Sequence, residues 1–221
     1  MIKVLDHGFV RLVDHMGDDL SIARNARVSY DAAWRAGEDK GSDSRLIKYL
    51  YNNGHNTPFE SVVFTFEVKA PIFVLRQWMR HRTWSYNELS ARYRELPKEF
   101  YIPEAKLVGK QNKDNKQMRD IGESIKDIKY QLALMEMQNE MSFELYRDLL
   151  KIGMPRELAR SVLPLGTYSH MFGTVNLNNL FKFLGERLHE HAQYEIRVYA
   201  QAMLDLIEPI VPVAVRAFRG E

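Results

Sequence analysis

From Val62 to Lys69 apolar and polar side chains alternate, with Val62, Phe64, Phe66 and Val68 on one side and Thr65, Glu67 and Lys69 on the other. This period of two predicts a half-buried strand over 61–69. Residues 2–16 carry short apolar runs broken at Asp6–Gly8, which suits two strand pieces joined at a glycine turn or bulge. Tyr168–Val175 reads as a further strand, followed by a polar turn over Asn176–Asn179. Between these lie patterns of helical period. Asp18 or Asp19 caps a helix through about Tyr30, and Ser42 or Asp43 caps a second whose Leu46, Ile47 and Leu50 share a face and whose stop is Gly54. The charged, glycine-containing stretch Trp34–Asp43 between them is expected to be a mobile loop. Pro71 opens a helix to about Arg82, apolar nearly all round at its start and so expected to be buried and to carry its terminal arginines inward.

Farther on, 83–100 reads as extended chain or loop and 108–119 as polar and exposed. Ile121, Ile125, Ile128, Leu132 and Met135 then recur at three and four, and the pattern resumes in shifted phase at Met141, Leu145, Leu149 and Ile152. One long helix over 117–152 is the simplest reading, stopped by Gly153. At 1.5 Å per residue it would run about 54 Å, against a radius of gyration near 17 Å for a chain of this size, so it is expected to project into a neighbouring subunit. Pro155 starts another helix that Pro164 ends, and helical sequence from Leu180 is broken by Pro209 and Pro212. The order of elements predicts an α+β fold, a small mainly antiparallel sheet covered by helices, in a single domain over 1–221.

Composition narrows the function. The 221 residues include no cysteine, which removes disulfides, thiolate metal sites and a cysteine nucleophile together. The longest apolar runs, Pro71–Leu75 and Pro209–Val215, are far below the roughly 18 residues of a spanning helix, and the N-terminus has no signal-peptide core. A cytoplasmic location is therefore expected. A net charge of only +2 argues against bulk nucleic-acid or anionic-membrane binding. Yet Arg76–Arg94 holds five arginines and His81 against one acid, Glu88, so this segment alone carries +4. Guanidinium forks gathered in one place match the paired oxygens of phosphate and carboxylate. Basic residues at a helix C-terminus also complement the macrodipole without any ligand, by about 0.3–1 kcal/mol each when exposed.

No GxGxxG, GxxxxGK[ST] or GxSxG occurs. Ser90 has no demonstrable base beside it, so phosphate binding through its hydroxyl is the better reading than nucleophilic attack. His189, His191 and Glu195 offer a metal-like spacing, His191 and Glu195 lying one helical turn apart, although this is not HExxH and hydrogen-bonding histidines are commoner. Trp78, Trp84, Tyr86 and Tyr93 interleaved with arginines allow single-stranded nucleic-acid stacking, against which Trp78 is more simply a core residue.

Arg80-His81-Arg82 followed by seven residues and Ser90 is the signature of the flavin-dependent thymidylate synthases, and the chain resembles that family over nearly its whole length. The likeness runs through ARVSY at 26–30, GHNTPFE at 54–60, YNELSARY at 86–93, PRELAR at 155–160, LPL at 163–165, TVN at 174–176 and HAQYEI at 191–196. It implies a homotetrameric methyltransferase with shared active sites, making dTMP from dUMP with 5,10-methylenetetrahydrofolate as carbon donor and NADPH as reductant through FAD. No metal, nucleic acid or membrane partner is implied, and the missing cysteine fits, since this family is thought to work without a protein nucleophile.

By similarity dUMP would be held by Gln77, Trp78, Met79, Arg80, Glu88, Leu89, Ser90, Ala91, Arg92, Arg160 and Arg187, with Ser90, the Ala91 backbone and Arg92 around its phosphate. Arg187 is the expected catalytic residue, a cation beside the uracil N3/O2 edge that favours the ionised ring. FAD would lie against His55, Thr57, Arg80, His81, Arg82, Glu88, Asn176, Leu177, Asn178 and Lys182. The sequence departs from the family's pattern at two of these, with Lys182 where asparagine is expected and Asn178 where arginine is common.

Overall fold

In the computed structural model, which describes residues 1–221, the alternating stretch becomes the central strand of a five-stranded antiparallel sheet. Its strands are β1 (Ile2–Val4), β2 (Gly8–Met16), β3 (Val63–Pro71), β4 (Ser85–Glu88) and β7 (Tyr168–Asn176), ordered β1-β2-β3-β7-β4. Two short strands, β5 (Lys110–Gln111) and β6 (Arg119–Asp120), form a separate hairpin. Strand β3 pairs with β7 from Val63 opposite Asn176 to Pro71 opposite Tyr168. Phe64, Phe66, Val68 and Ala70 therefore share a buried face with Met171 and Val175, while Glu67 and Phe172 face the other way. Gly173 stands opposite Phe66 because a side chain there would put its Cβ 3.1 Å from the Trp84 ring.

There are eight helices, six of which share the main core with the apolar face of the sheet. They are α1 (Asp19–Arg27), α2 (Lys40–Asn52), α3 (Ile72–Trp78), α4 (Ile128–Lys151), α5 (Arg156–Ala159), α6 (Leu177–Arg187), α7 (Tyr194–Ile207) and α8 (Pro212–Arg219). Tyr199 of α7 donates to the Lys69 carbonyl at 2.7 Å, and only a glycine at position 8 leaves room for that hydroxyl. Asp19 of α1 accepts from the Val213 and Ala214 amides, at 2.8 and 3.0 Å, and so caps α8 from another element. The main core joins residues of the sheet, α1–α3 and α6–α8, and a smaller cluster gathers Phe143, Tyr146 and Ala159 between α4 and α5.

Several expectations need correction. The cap of α2 is Asp39, whose carboxylate takes the Gly41 and Ser42 amides, so the helix starts two residues before Ser42. Asp43 instead lies buried, accepting from Arg27 Nε and Nη2 at 3.1 and 2.7 Å and from the Gly37 amide at 2.7 Å. That clamp, with a 3-10 turn at Ala33–Arg35, orders the stretch expected to be a loop. Helix α1 likewise stops at Arg27, and Val28–Tyr30 continues as a 3-10 turn. The expected turn at Asn176–Asn179 is the start of α6: Asn176 caps it by accepting from the Asn179 amide at 2.9 Å.

The long helix is α4, and it begins at Ile128 rather than 117, with Asp127 left-handed at φ 57° before it. Asn112 draws the Asp114 and Asn115 amides to its own side chain, 2.9 and 2.7 Å away, and closes the β5–β6 hairpin where helical period had been expected to start. Twenty-four residues span about 36 Å, so helix length no longer argues for a neighbouring subunit.

Candidate active site

Helix α3 ends at Trp78, four residues before Arg82. Its end is held by Tyr86 of β4, whose single hydroxyl proton has two acceptors in reach, the Trp78 carbonyl at 3.0 Å and that of His81 at 2.9 Å. Burial keeps this phenol protonated by raising its pKa far above the ordinary value. The turn between α3 and β4 thus leaves Arg80 and Arg82 exposed, with no side-chain hydrogen bond or ion pair inside the chain. They are not carried inward as the apolar start of the helix had suggested. Trp78 is fully buried, and its ring stacks on Phe183 of α6 at 4.9 Å.

The same Phe183 meets the His81 ring edge-on at 4.9 Å. One helical turn later Arg187 ends α6, and its Nε donates to His81 Nε2 at 3.0 Å. Both terminal nitrogens of the guanidinium have no partner in the chain. Burial, with the Arg187 cation beside it, holds His81 below the ordinary histidine value; Glu186, 3.8 Å away, pulls weakly the other way. Gln77, on α3, hydrogen-bonds Gln193 just before α7.

A second group forms around the far end of β4. Glu88 accepts from the Ser169 hydroxyl at 2.7 Å, and the Leu89 amide donates to the His170 carbonyl at 2.7 Å, which fixes where the chain leaves the sheet. Ser90 then turns the backbone back, its hydroxyl accepting from the Arg92 amide at 3.2 Å. Arg92 Nε lies 3.9 Å from Glu157 and Arg160 Nε donates to the Glu157 carbonyl at 3.3 Å, so the two cations meet across the start of α5. Ala91 is buried and Met79 exposed.

The third group surrounds a cavity of about 290 Å³ lined by Tyr51, Asn56, Phe59, Asn178, Phe181 and Lys182. Asn178 is buried and donates to Glu60 at 3.1 Å, while the neighbouring Leu177 is wholly in the core and its amide donates to the Val62 carbonyl at 2.8 Å. Thr57 is exposed, and His55 stacks on Tyr49 at 6.0 Å. None of the five principal cavities is lined by Arg80, Ser90, Arg92, Arg160 or Arg187.

Two other readings lose their footing. His191 precedes α7, so it does not share a helical face with Glu195. That carboxylate is instead buried, accepting from Tyr101 at 3.1 Å and Arg119 at 2.9 Å. Stacking of bases along the arginine segment is also unsupported, since Trp78 and Trp84 are buried and only Tyr93 stands out, at 79% exposure. Sequence reasoning missed Ser169, Phe183, Glu157 and Gln193. Ser169 left a signal: it falls in phase with Met171 and Val175 on the buried face, where a hydroxyl needs a partner.

The family profile described as thymidylate synthase complementing protein matches residues 11–213. A flavin-dependent thymidylate synthase from Thermus thermophilus is 49% identical over 217 residues, 98% of this chain and 77% of the relative. Another, from Thermotoga neapolitana, is 46% identical over 217 residues, 98% of this chain and 93% of its own length. The crystal structure of the UMP/dUMP methylase PolB from Streptomyces cacaoi, bound with 5-Br dUMP, matches with a TM-score of 0.88 at 39% identity, covering 99% of this chain and 97% of that one.

Proposed function

Because the chain belongs to the flavin-dependent thymidylate synthase family, we propose that it methylates dUMP to dTMP, taking carbon from methylenetetrahydrofolate and reducing equivalents from NADPH through FAD. The observation that carries this reading is the Arg80-His81-Arg82 turn brought against Arg187 by α6, with Ser90 and Arg92 in the turn that follows β4. Arg187 presents free terminal N–H groups and stays charged at any working pH, so it favours negative charge developing on the uracil. Ser90, the Ala91 amide and Arg92 supply donors for the phosphate, and the Ser169 hydroxyl orients Glu88. With no cysteine in the chain, attack on the pyrimidine by a thiolate is not available.

The donor set around the 290 Å³ cavity suits a cofactor with flat rings and phosphates: an ammonium from Lys182, amides from Asn56 and Asn178, and the edges of Tyr51 and Phe181. Bound flavin would supply hydride, and these residues would orient it. Lys182 and Asn178 differ from the family's usual asparagine and arginine, so Lys182 is the cation that remains for a flavin oxygen or phosphate.

The three residue groups are separate within one chain, which favours sites completed by other subunits of a homotetramer, each chain acting as one domain. Exposed apolar residues support this. On α4, Tyr130, Met135, Met137, Met141 and Leu145 are exposed, and Phe172 stands at 43% on the uncovered face of the sheet. No helix is long and apolar enough to cross a membrane.

The test is a visible spectrum of purified protein after FAD addition and gel filtration, with and without dUMP. Retained oxidised-flavin bands that dUMP perturbs are expected, from a particle scattering light as four copies of 25.9 kDa. Absence of retained flavin would reject the enzyme reading, and a monomeric mass the shared sites. Arg92→Ala should raise KM for dUMP by about tenfold or more with kcat nearly unchanged, since a phosphate fork is made equally in ground and transition states. Normal dUMP affinity in that variant would remove Arg92 from the phosphate site.

A further inference from the structure

One hydrogen bond between side chains joins two candidate residues far apart in the chain, Arg187 Nε to His81 Nε2 at 3.0 Å. We propose that His81 is a positioning residue for Arg187: its neutral imidazole, unprotonated at Nε2, aims the guanidinium at the pyrimidine. This rests on the thymidylate synthase reading and adds to it a reason for the histidine between the two arginines.

The acceptor is rigid. Tyr86 holds the His81 carbonyl at 2.9 Å, the edge of Phe183 holds its ring, and only 11% of the side chain is exposed. A guanidinium is planar and Nε carries a single N–H, so fixing that bond fixes the plane and turns both terminal nitrogens away from the imidazole. The chemical type of the acceptor matters as much as its place. A carboxylate here would pair with Arg187 and cancel the charge that the uracil needs, whereas a neutral imidazole orients the cation and leaves its charge whole. Glu186 does not take that role, being 67% exposed and 3.8 Å from the imidazole.

Protonation has a defined consequence. The charged and titratable groups around the ring are Arg187 and Glu186 of α6, Tyr86 of β4, and Arg80 and Arg82 in its own turn. A proton on Nε2 would face the Arg187 donor, break the bond and set two cations side by side. Burial and Arg187 both push this event below the ordinary histidine value of about 6.5, so alignment holds at neutral pH and is lost on the acid side.

The experiment compares the holoenzyme with His81→Phe and His81→Gln, measuring kcat, KM for dUMP and flavin absorbance across the acid and neutral range. His81→Phe keeps a ring against Phe183 but offers no acceptor. It should lose about 10²-fold in kcat at every pH, the order of loss that misplacing a reacting group causes, with KM moved far less. His81→Gln offers a carbonyl near the Nε2 position that does not titrate. It should recover most of that loss and lack the wild-type acid limb. Equal losses in both variants, an acid limb that persists in His81→Gln, or a loss that tracks flavin occupancy would each overturn the proposal. If the wild type makes no dTMP, the enzyme reading fails instead. The contact itself is then decided by 15N shifts of the His81 imidazole: a neutral Nδ1–H tautomer that becomes mixed in Arg187→Gln upholds it, and an unchanged tautomer rejects it.

Discussion

Arg187→Ala is expected to abolish dTMP formation, a fall in kcat of at least about 10²–10³-fold, while the protein keeps its fold and its FAD. The fold should survive because Arg187 is the last residue of α6, half-buried, and its side chain is bound only to His81. Its removal costs a favourable cation at a helix C-terminus, roughly 0.3–1 kcal/mol, and frees one imidazole nitrogen that water can reach. Flavin should remain because the cavity with Lys182 and Asn178 begins at the opposite end of α6, about 14 Å along the axis. What is lost is the cation at the pyrimidine. Arg187→Lys restores a charge without the Nε–H that meets His81 and without the planar fork, so it should recover only a small part of the activity. The deciding assay is single-turnover conversion of dUMP with flavin content measured in the same sample. Undiminished turnover in the alanine variant would take Arg187 out of the mechanism.

How far this arrangement was legible in the sequence depends on whether its cause is local. The alternation through β3 is local, and its pairing with β7 buries the same Phe64, Phe66 and Val68 that the pattern selects. Element ends were read less well because side chains from elsewhere decide them. The end of α3 is set by Tyr86, which takes the Trp78 and His81 carbonyls from a strand that follows in the chain. Asp43 looks like a cap, but Arg27 and Gly37 claim its carboxylate, and Asp39 does the capping. Ile121 and Ile125 continue the apolar period of α4, yet Asn112 and the left-handed Asp127 keep 121–127 out of the helix. The resemblance to the family nominates Arg187 and His81 as candidate site residues. Nothing in their spacing foretold that they touch, because the contact is made by α6 packing on Trp78.

That packing makes Trp78 the residue on which both stability and site geometry turn. Its ring lies fully buried, stacked on Phe183 at 4.9 Å and edge-on to Trp84 at 5.9 Å and Tyr199 at 6.0 Å. Trp78→Ala removes the ring of α3 against which Trp84, Phe183 of α6 and Tyr199 of α7 pack, and leaves a cavity, at a cost of about 3–5 kcal/mol. At roughly 2–4 °C per kcal/mol for a chain of this length, Tm should fall by about 6–20 °C at fixed protein and flavin concentration. Activity should fall further than the folded fraction does. Phe183, deprived of its platform, no longer fixes His81, and the face of α6 that bears Arg187 is free to shift. Trp78→Phe is expected to be far milder, because the indole N–H has no partner in the chain and no hydrogen bond is lost with it. Thermal unfolding of the two variants, with kcat measured well below each Tm, checks both parts. A Trp78→Ala protein that melts within about 2 °C of the wild type would show that this ring is not the support of α6. One that melts early but turns over normally when cold would show that Phe183 holds His81 without it.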